Sequence, residues 1–206
     1  MTNRKKWAVI PGFLVIAAAA AGLSAYAGAS SSQGKLVEQP VKFVHGPHVQ
    51  KLGMNCLYCH SQANKASDPG NAAGATCMGC HTIVAANKPE IKKLTAIYNK
   101  KQPVQWNRVH KVPDYVNFPH MRHVNAGVTC QSCHGQIQAQ GIDGAEAASY
   151  KPVEQYASLN MGWCINCHVN GYKPAEGAKL AGLTVTPEME KAEPRKARYD
   201  CAVCHY

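Results

Sequence analysis

Large aromatic side chains are scarce in this chain, with three Phe and three Trp in 206 residues. That excludes a large aromatic core. The polypeptide is short of apolar bulk for its length, so something other than side chains must fill much of its interior. Acidic residues are also few, twelve against twenty-two basic ones, and the formal charge is +10. No cysteine is unaccounted for by a repeated pattern, and no C-x-x-C is followed by Lys in place of His. The apolar N-terminal stretch contains no cysteine, which excludes a lipid-anchored start. The length suits one or two domains.

Ten cysteines are present, and all ten fall into five C-x-x-C-H motifs. They are Cys56-Leu57-Tyr58-Cys59-His60, Cys77-Met78-Gly79-Cys80-His81, Cys130-Gln131-Ser132-Cys133-His134, Cys164-Ile165-Asn166-Cys167-His168 and Cys201-Ala202-Val203-Cys204-His205. Disulfides suit an exported protein but do not require a following His. The separation of Cys59 from Cys77 fits a zinc ribbon, but the later pairs lie too far apart for one. Covalent haem explains every element of the pattern. Two thiols add across the two vinyl groups of one haem, two intervening residues set the span, and the adjacent His lies beneath the iron. Five motifs imply five haem c groups. Their ten propionates roughly match the basic excess, which is therefore read as counter-charge rather than as a nucleic-acid surface.

Five histidines remain after the motifs are counted: His45, His48, His110, His120 and His123. Five irons need five second ligands, so the count closes and predicts mostly bis-His, six-coordinate haems. Such haems carry electrons and leave no position open for substrate. Met161, three residues before Cys164, is the main competing ligand, with Met54 and Met121 weaker candidates. If Met161 binds iron, one His is freed.

Two segments repeat. Phe43-Val44-His45-Gly46-Pro47-His48-Val49 precedes the first motif and Phe118-Pro119-His120-Met121-Arg122-His123-Val124 the third; both read F-x-H-x-x-H-V. The chain is accordingly divided into residues 1–29, a first haem module with two haems and a linker over 30–104, and a second with three haems over 105–206. Pro89 to Lys101 predicts a helix, with Pro89 in its first turn and Ile91, Leu94 and Tyr98 on one face. Stretches 135–160 and 170–195 read as loops with short helices, and little sheet is expected. The fold class is mainly α with much irregular loop.

Arg4, Lys5 and Lys6 precede an apolar run from Trp7 to Ala29. Such a run is long enough to span a bilayer, and the positive start places the remainder outside the cytoplasm. A cleaved signal peptide ending near Ala25-Tyr26-Ala27 competes with a retained transmembrane anchor. The length of the run favours the anchor. Ala17, Ala21, Ala25 and Ala29 form a small-residue stripe suited to packing on another membrane helix.

The paired histidines resemble those of the small cytochrome c7 and c3 family. That resemblance implies that His45 binds the haem of Cys56 and Cys59 and His120 the haem of Cys130 and Cys133. His48 and His123 would then reach across to later haems, and His110, outside both pairs, could bridge the modules. Trp106-Asn107-Arg108-Val109-His110, Pro113-Asp114-Tyr115-Val116, the second histidine pair and Met161-Gly162-Trp163 occur together with an N-terminal anchor and five motifs. Taken together the chain resembles the pentahaem subunit of bacterial alternative complex III. The resemblance implies a single-pass protein of the bacterial inner membrane with its bulk in the periplasm. Its partners would be integral-membrane quinol-oxidising subunits, an iron–sulfur subunit and a monohaem cytochrome c. It would have no catalytic residue, no small-molecule substrate and no nucleic-acid partner of its own. The competing readings are a quinol dehydrogenase of the NapC/NrfH type, a multihaem enzyme with an open iron, and a free periplasmic electron shuttle.

Overall fold

Short helical turns joined by irregular chain dominate the structure, a computed structural model that describes residues 12–23, 32–141 and 150–205. The chain divides into two compact units, one ending at Ser32 and one spanning Gln33–Tyr206. In the first, residues 12–23 are helical and exposed, including Phe13, Leu14, Val15, Ile16 and Leu23. Among the described residues no helix is long and apolar enough to cross a membrane. Much of the expected anchor, including Ala25 and Ala29 of the alanine stripe, lies outside the described residues.

The second unit holds every haem motif. Its longest helix is Pro89–Asn99, started by Pro89 in the first turn and burying Leu94. It ends two residues before the expected Lys101. Lys100 leaves helical geometry and Lys101 takes a left-handed φ of 56°, which stops the helix. This helix packs on Gly74–His81, where Tyr98 lies against Gly74 and the Thr95 hydroxyl reaches the Met78 sulfur at 3.8 Å.

Among the described residues, sheet is confined to two antiparallel strands, Leu36–Val37 and Val153–Glu154. They tie the segment before the first motif to the segment before the fourth motif. Gln155 beside them is 1% exposed. Its amide donates to the Ala157 and Ser158 carbonyls and accepts from the Lys111 backbone N–H, which fixes the chain next to His110. Asn107 is held likewise, exchanging two 2.9 Å hydrogen bonds with Gln39 and donating to the Glu38 carbonyl.

The stretches expected to be loops contain short helices: Ile137–Ala139, Pro174–Ala181 and Pro187–Lys191. Residues 142–149 lie outside the described set. Among the described residues, the buried apolar ones are Val41, Ala63, Met78, Leu94, Ala157 and Ala178. None is aromatic, as the composition foretells. The polypeptide alone makes only a thin core, so cohesion has to come largely from cross-links.

Candidate haem sites

Each motif adopts a helical turn. Cys56–Cys59, Gln131–His134 and Cys201–Cys204 are single turns, while the second and fourth motifs sit in Gly74–His81 and Met161–Asn170. A helical turn places residues i, i+3 and i+4 on one face. In the second, third and fourth motifs the two cysteines and the adjacent histidine therefore share one face, while His60 and His205 follow their turns as C-caps. Two of the turns begin with a side-chain cap. Asn55 Oδ1 accepts the Leu57 N–H and Asn160 Oδ1 accepts the Trp163 N–H, both at 2.8 Å. None of the ten cysteines is bonded to another, so every motif keeps both of its sulfurs for haem attachment.

The imidazoles show how the chain prepares its ligands. Eight of the ten histidines have Nδ1 on an oxygen acceptor. His60, His81, His168 and His205 meet the carbonyls of Gly70, Val84, Arg198 and Tyr115 at 2.8, 2.9, 2.5 and 3.3 Å. His48 and His123 each meet the carbonyl four residues back, Val44 at 3.2 Å and Pro119 at 3.0 Å. His120 meets the Ser67 carbonyl at 2.7 Å, and His45 meets Gln140 Oε1 at 2.9 Å. An oxygen with no proton to give fixes the proton on Nδ1. Nε2 is left with its lone pair, which is the metal-binding tautomer.

Distances between rings match this preparation. The His48 and His81 centroids lie 5.9 Å apart, and those of His123 and His168 lie 6.1 Å apart. A metal–imidazole bond of about 2 Å, plus about 1 Å to each ring centre, puts two axial imidazoles roughly 6 Å apart. The repeat is visible as geometry. Phe43 packs on His45 edge-on at 4.9 Å and on His48 at 4.8 Å; Phe118 packs on His120 edge-on at 4.9 Å and on His123 at 4.5 Å.

His110 and His134 differ from the rest. Their rings meet edge-on at 4.3 Å, too close for a shared metal as they stand. His110 Nε2 is buried without a hydrogen-bond partner. Buried polar atoms are rarely left in that condition, and an iron bond would satisfy it. Burial, aided by His110, His120, His60 and His45, pushes His134 down to about 3. Burial likewise lowers His45, His48, His110 and His123. These imidazoles are held neutral, as ligation requires. Tyr115 stacks on His205 with ring centres 5.7 Å apart. Met161 opens its helix and is 66% exposed, one turn ahead of Cys164.

The thiols of different motifs are close to one another. Cys56 and Cys130 lie close enough to interact, which lowers the one thiol and raises the other. Burial raises Cys59, helped by Cys77. Burial also pushes Cys133 up to about 12, helped by Cys167 and Cys164, and it raises Cys164, helped by Cys204.

Paired cysteines on helical turns, each pair followed by an imidazole and four of those five imidazoles fixed in the metal-binding tautomer, define a class: c-type cytochromes with several covalent haems. Comparison with known proteins agrees. Residues 53–206 match the family described as outer membrane cytochrome MtrC/MtrF-like, domains II/IV. The chain belongs to this family of multihaem c-type cytochromes and binds haem c covalently. It is also 31% identical over 146 residues to the menaquinone reductase multiheme cytochrome c subunit of Nitratidesulfovibrio vulgaris (strain Hildenborough), covering 65% of this chain and 69% of that one. His45 and His48 precede the stretch matched by the family.

The cysteines and motif histidines are the residues that would hold haem, and each haem supplies a one-electron iron couple. The rest is done by the chain. It fixes imidazole tautomers, stacks Phe43 and Phe118 on the paired histidines, and holds successive motifs next to one another. Sequence reasoning missed the Nδ1 acceptors. Most are backbone carbonyls, which carry no side-chain signal.

Proposed function

We propose that this chain is a pentahaem electron wire, anchored in the bacterial inner membrane with its bulk in the periplasm, serving a quinone-linked respiratory complex. The observation that carries the reading is the pair of imidazole–imidazole separations near 6 Å, His48 with His81 and His123 with His168. Both fit irons closed on two faces, which relay electrons and bind no substrate. The remaining assignments are His45 with His60, and His120 with His134. His110 serves the haem left over, and Met161 is the competing ligand near the fourth motif. On this reading residues 30–104 carry two haems and residues 105–206 carry three.

The proximity of thiols suggests the order of the wire. Cys77 neighbours Cys59, Cys56 neighbours Cys130, Cys133 neighbours Cys164 and Cys167, and Cys164 neighbours Cys204. The haems would therefore run second, first, third, fourth, fifth, with the modules joined through the first and third. The apolar helix at 12–23, within the longer run from Trp7 to Ala29, supports the anchor. In the complex that the sequence resembles, alternative complex III, electrons pass from quinol-oxidising membrane subunits and an iron–sulfur subunit toward a monohaem cytochrome or an oxidase.

A second reading concerns direction. The relative from Nitratidesulfovibrio vulgaris is named as a subunit of a menaquinone reductase. By that likeness the wire would deliver electrons to the quinone pool instead. Stopped-flow reaction of the membrane-bound complex with menaquinol and, separately, with a reduced periplasmic carrier distinguishes the two. Rapid haem reduction by quinol supports the first direction, and rapid electron delivery to menaquinone supports the second. A purified chain that reacts with quinol unaided would contradict both. A chain that carbonate washing strips from membranes would contradict the anchor.

A further inference from the structure

The two histidine pairs dock reciprocally. In the first, the Gly46 N–H donates to the Gln140 carbonyl at 2.8 Å, and Gln140 follows the third motif. In the second, the His120 and Met121 N–H groups donate to the Ser67 and Ala66 carbonyls at 3.2 and 3.1 Å, and this segment follows the first motif. Each pair is thus steadied by the loop behind the other module's motif. Asn125 adds a 3.1 Å bond to the Asn64 carbonyl.

The reciprocity fails at one atom. His120 Nδ1 is held by a backbone carbonyl, whereas His45 Nδ1 is held by the Gln140 side chain. Among the eight held imidazoles, His45 alone has a side chain as its Nδ1 acceptor. Gln140 is itself well fixed. Its Oε1 also takes the His45 backbone N–H at 3.3 Å, and its Nε2 donates to the Lys151 carbonyl at 2.7 Å, which settles which amide end faces the ring. Gly141, at φ 73°, presses so close to Val44 that a Cβ there would meet the Val44 side chain at 2.9 Å. The same Val44 offers its carbonyl to His48.

We propose that Gln140 is a positioning residue of the second module that sets the orientation and basicity of His45, and so the potential of the first-module haem that His45 caps. The inference rests on the reading of His45 as an axial ligand. A stronger acceptor on Nδ1 gives the imidazole more imidazolate character and favours ferric iron, while a lost acceptor does the reverse.

The test uses the full-length holoprotein in detergent, with redox titration of the haems and low-temperature electron paramagnetic resonance. In Gln140→Leu, one haem potential of the set should rise and one low-spin signal should shift its g-values. Gln140→Glu keeps the acceptor and the size; the same haem should move to lower potential and stay low-spin, with its g-values shifted. His45→Ala, measured alongside, should turn one iron high-spin. All potentials and g-values unchanged in both Gln140 variants would overturn the role of Gln140 while leaving His45 as ligand. Absence of a high-spin iron in His45→Ala would overturn the ligand reading and this proposal together. A carboxylate acting only by its charge would shift potentials without moving any g-value, and that result also counts against positioning.

Discussion

Removing the His123 imidazole should open one iron, that of the fourth motif, and leave the chain folded. His123 faces His168 at 6.1 Å and stacks on Phe118 at 4.5 Å. His123→Ala loses the hydrogen bond to the Pro119 carbonyl, about 1 kcal/mol, and the ring stack, about 1 kcal/mol. A total near 2 kcal/mol is small against the 5–15 kcal/mol typical of a domain, and thioether links hold the chain besides. The expected change is therefore electronic. About one-fifth of the iron should turn high-spin, and carbon monoxide uptake by the reduced protein should rise from none to about one per chain. Spin quantitation and a carbon monoxide titration measure both. If all iron stays low-spin and no carbon monoxide binds, His123 is not an axial ligand and the spacing of the rings is coincidental.

Other outcomes follow from particular contacts. His110→Ala should likewise create one open iron, because a buried Nε2 without a partner is best explained by a metal bond; an unchanged spectrum would remove His110 from the ligand set. Met161→Leu should leave every low-spin signal in place, since Met161 is 66% exposed and the histidines suffice; a lost signal would make it a ligand. Gly177→Ala should lower the melting temperature, because a Cβ would strike the Tyr172 hydroxyl that accepts the Thr129 N–H beside Cys130; overpacking of this kind costs about 1–3 kcal/mol. Asn160→Ala should cost about 1 kcal/mol in thermal denaturation by uncapping the helix of the fourth motif.

The chemistry was more legible in the sequence than the architecture. Covalent attachment requires C-x-x-C-H, and five repeats of it announce themselves. The F-x-H-x-x-H pairs were legible too, and their aromatic packing is duplicated in the structure. Helix Pro89–Asn99 showed through its proline start and its apolar face. What did not show was how the pairs are held. Ser67 contributes only a carbonyl, and any residue has one. Gln140 lies far from His45 in sequence and belongs to no motif. Short helices were expected within 135–160 and 170–195 and are present, but thin hydrophobic patterning left their bounds unread, because turns pinned by cross-links need little amphipathic signal.

The number of covalent haems is tested most directly by the mass of the intact mature protein, read with its haem absorption. We expect the bare polypeptide mass plus five haems, with a strong Soret band surviving acid extraction. A mass equal to the polypeptide alone, or haem released by acid, would contradict covalent attachment at the ten thiols.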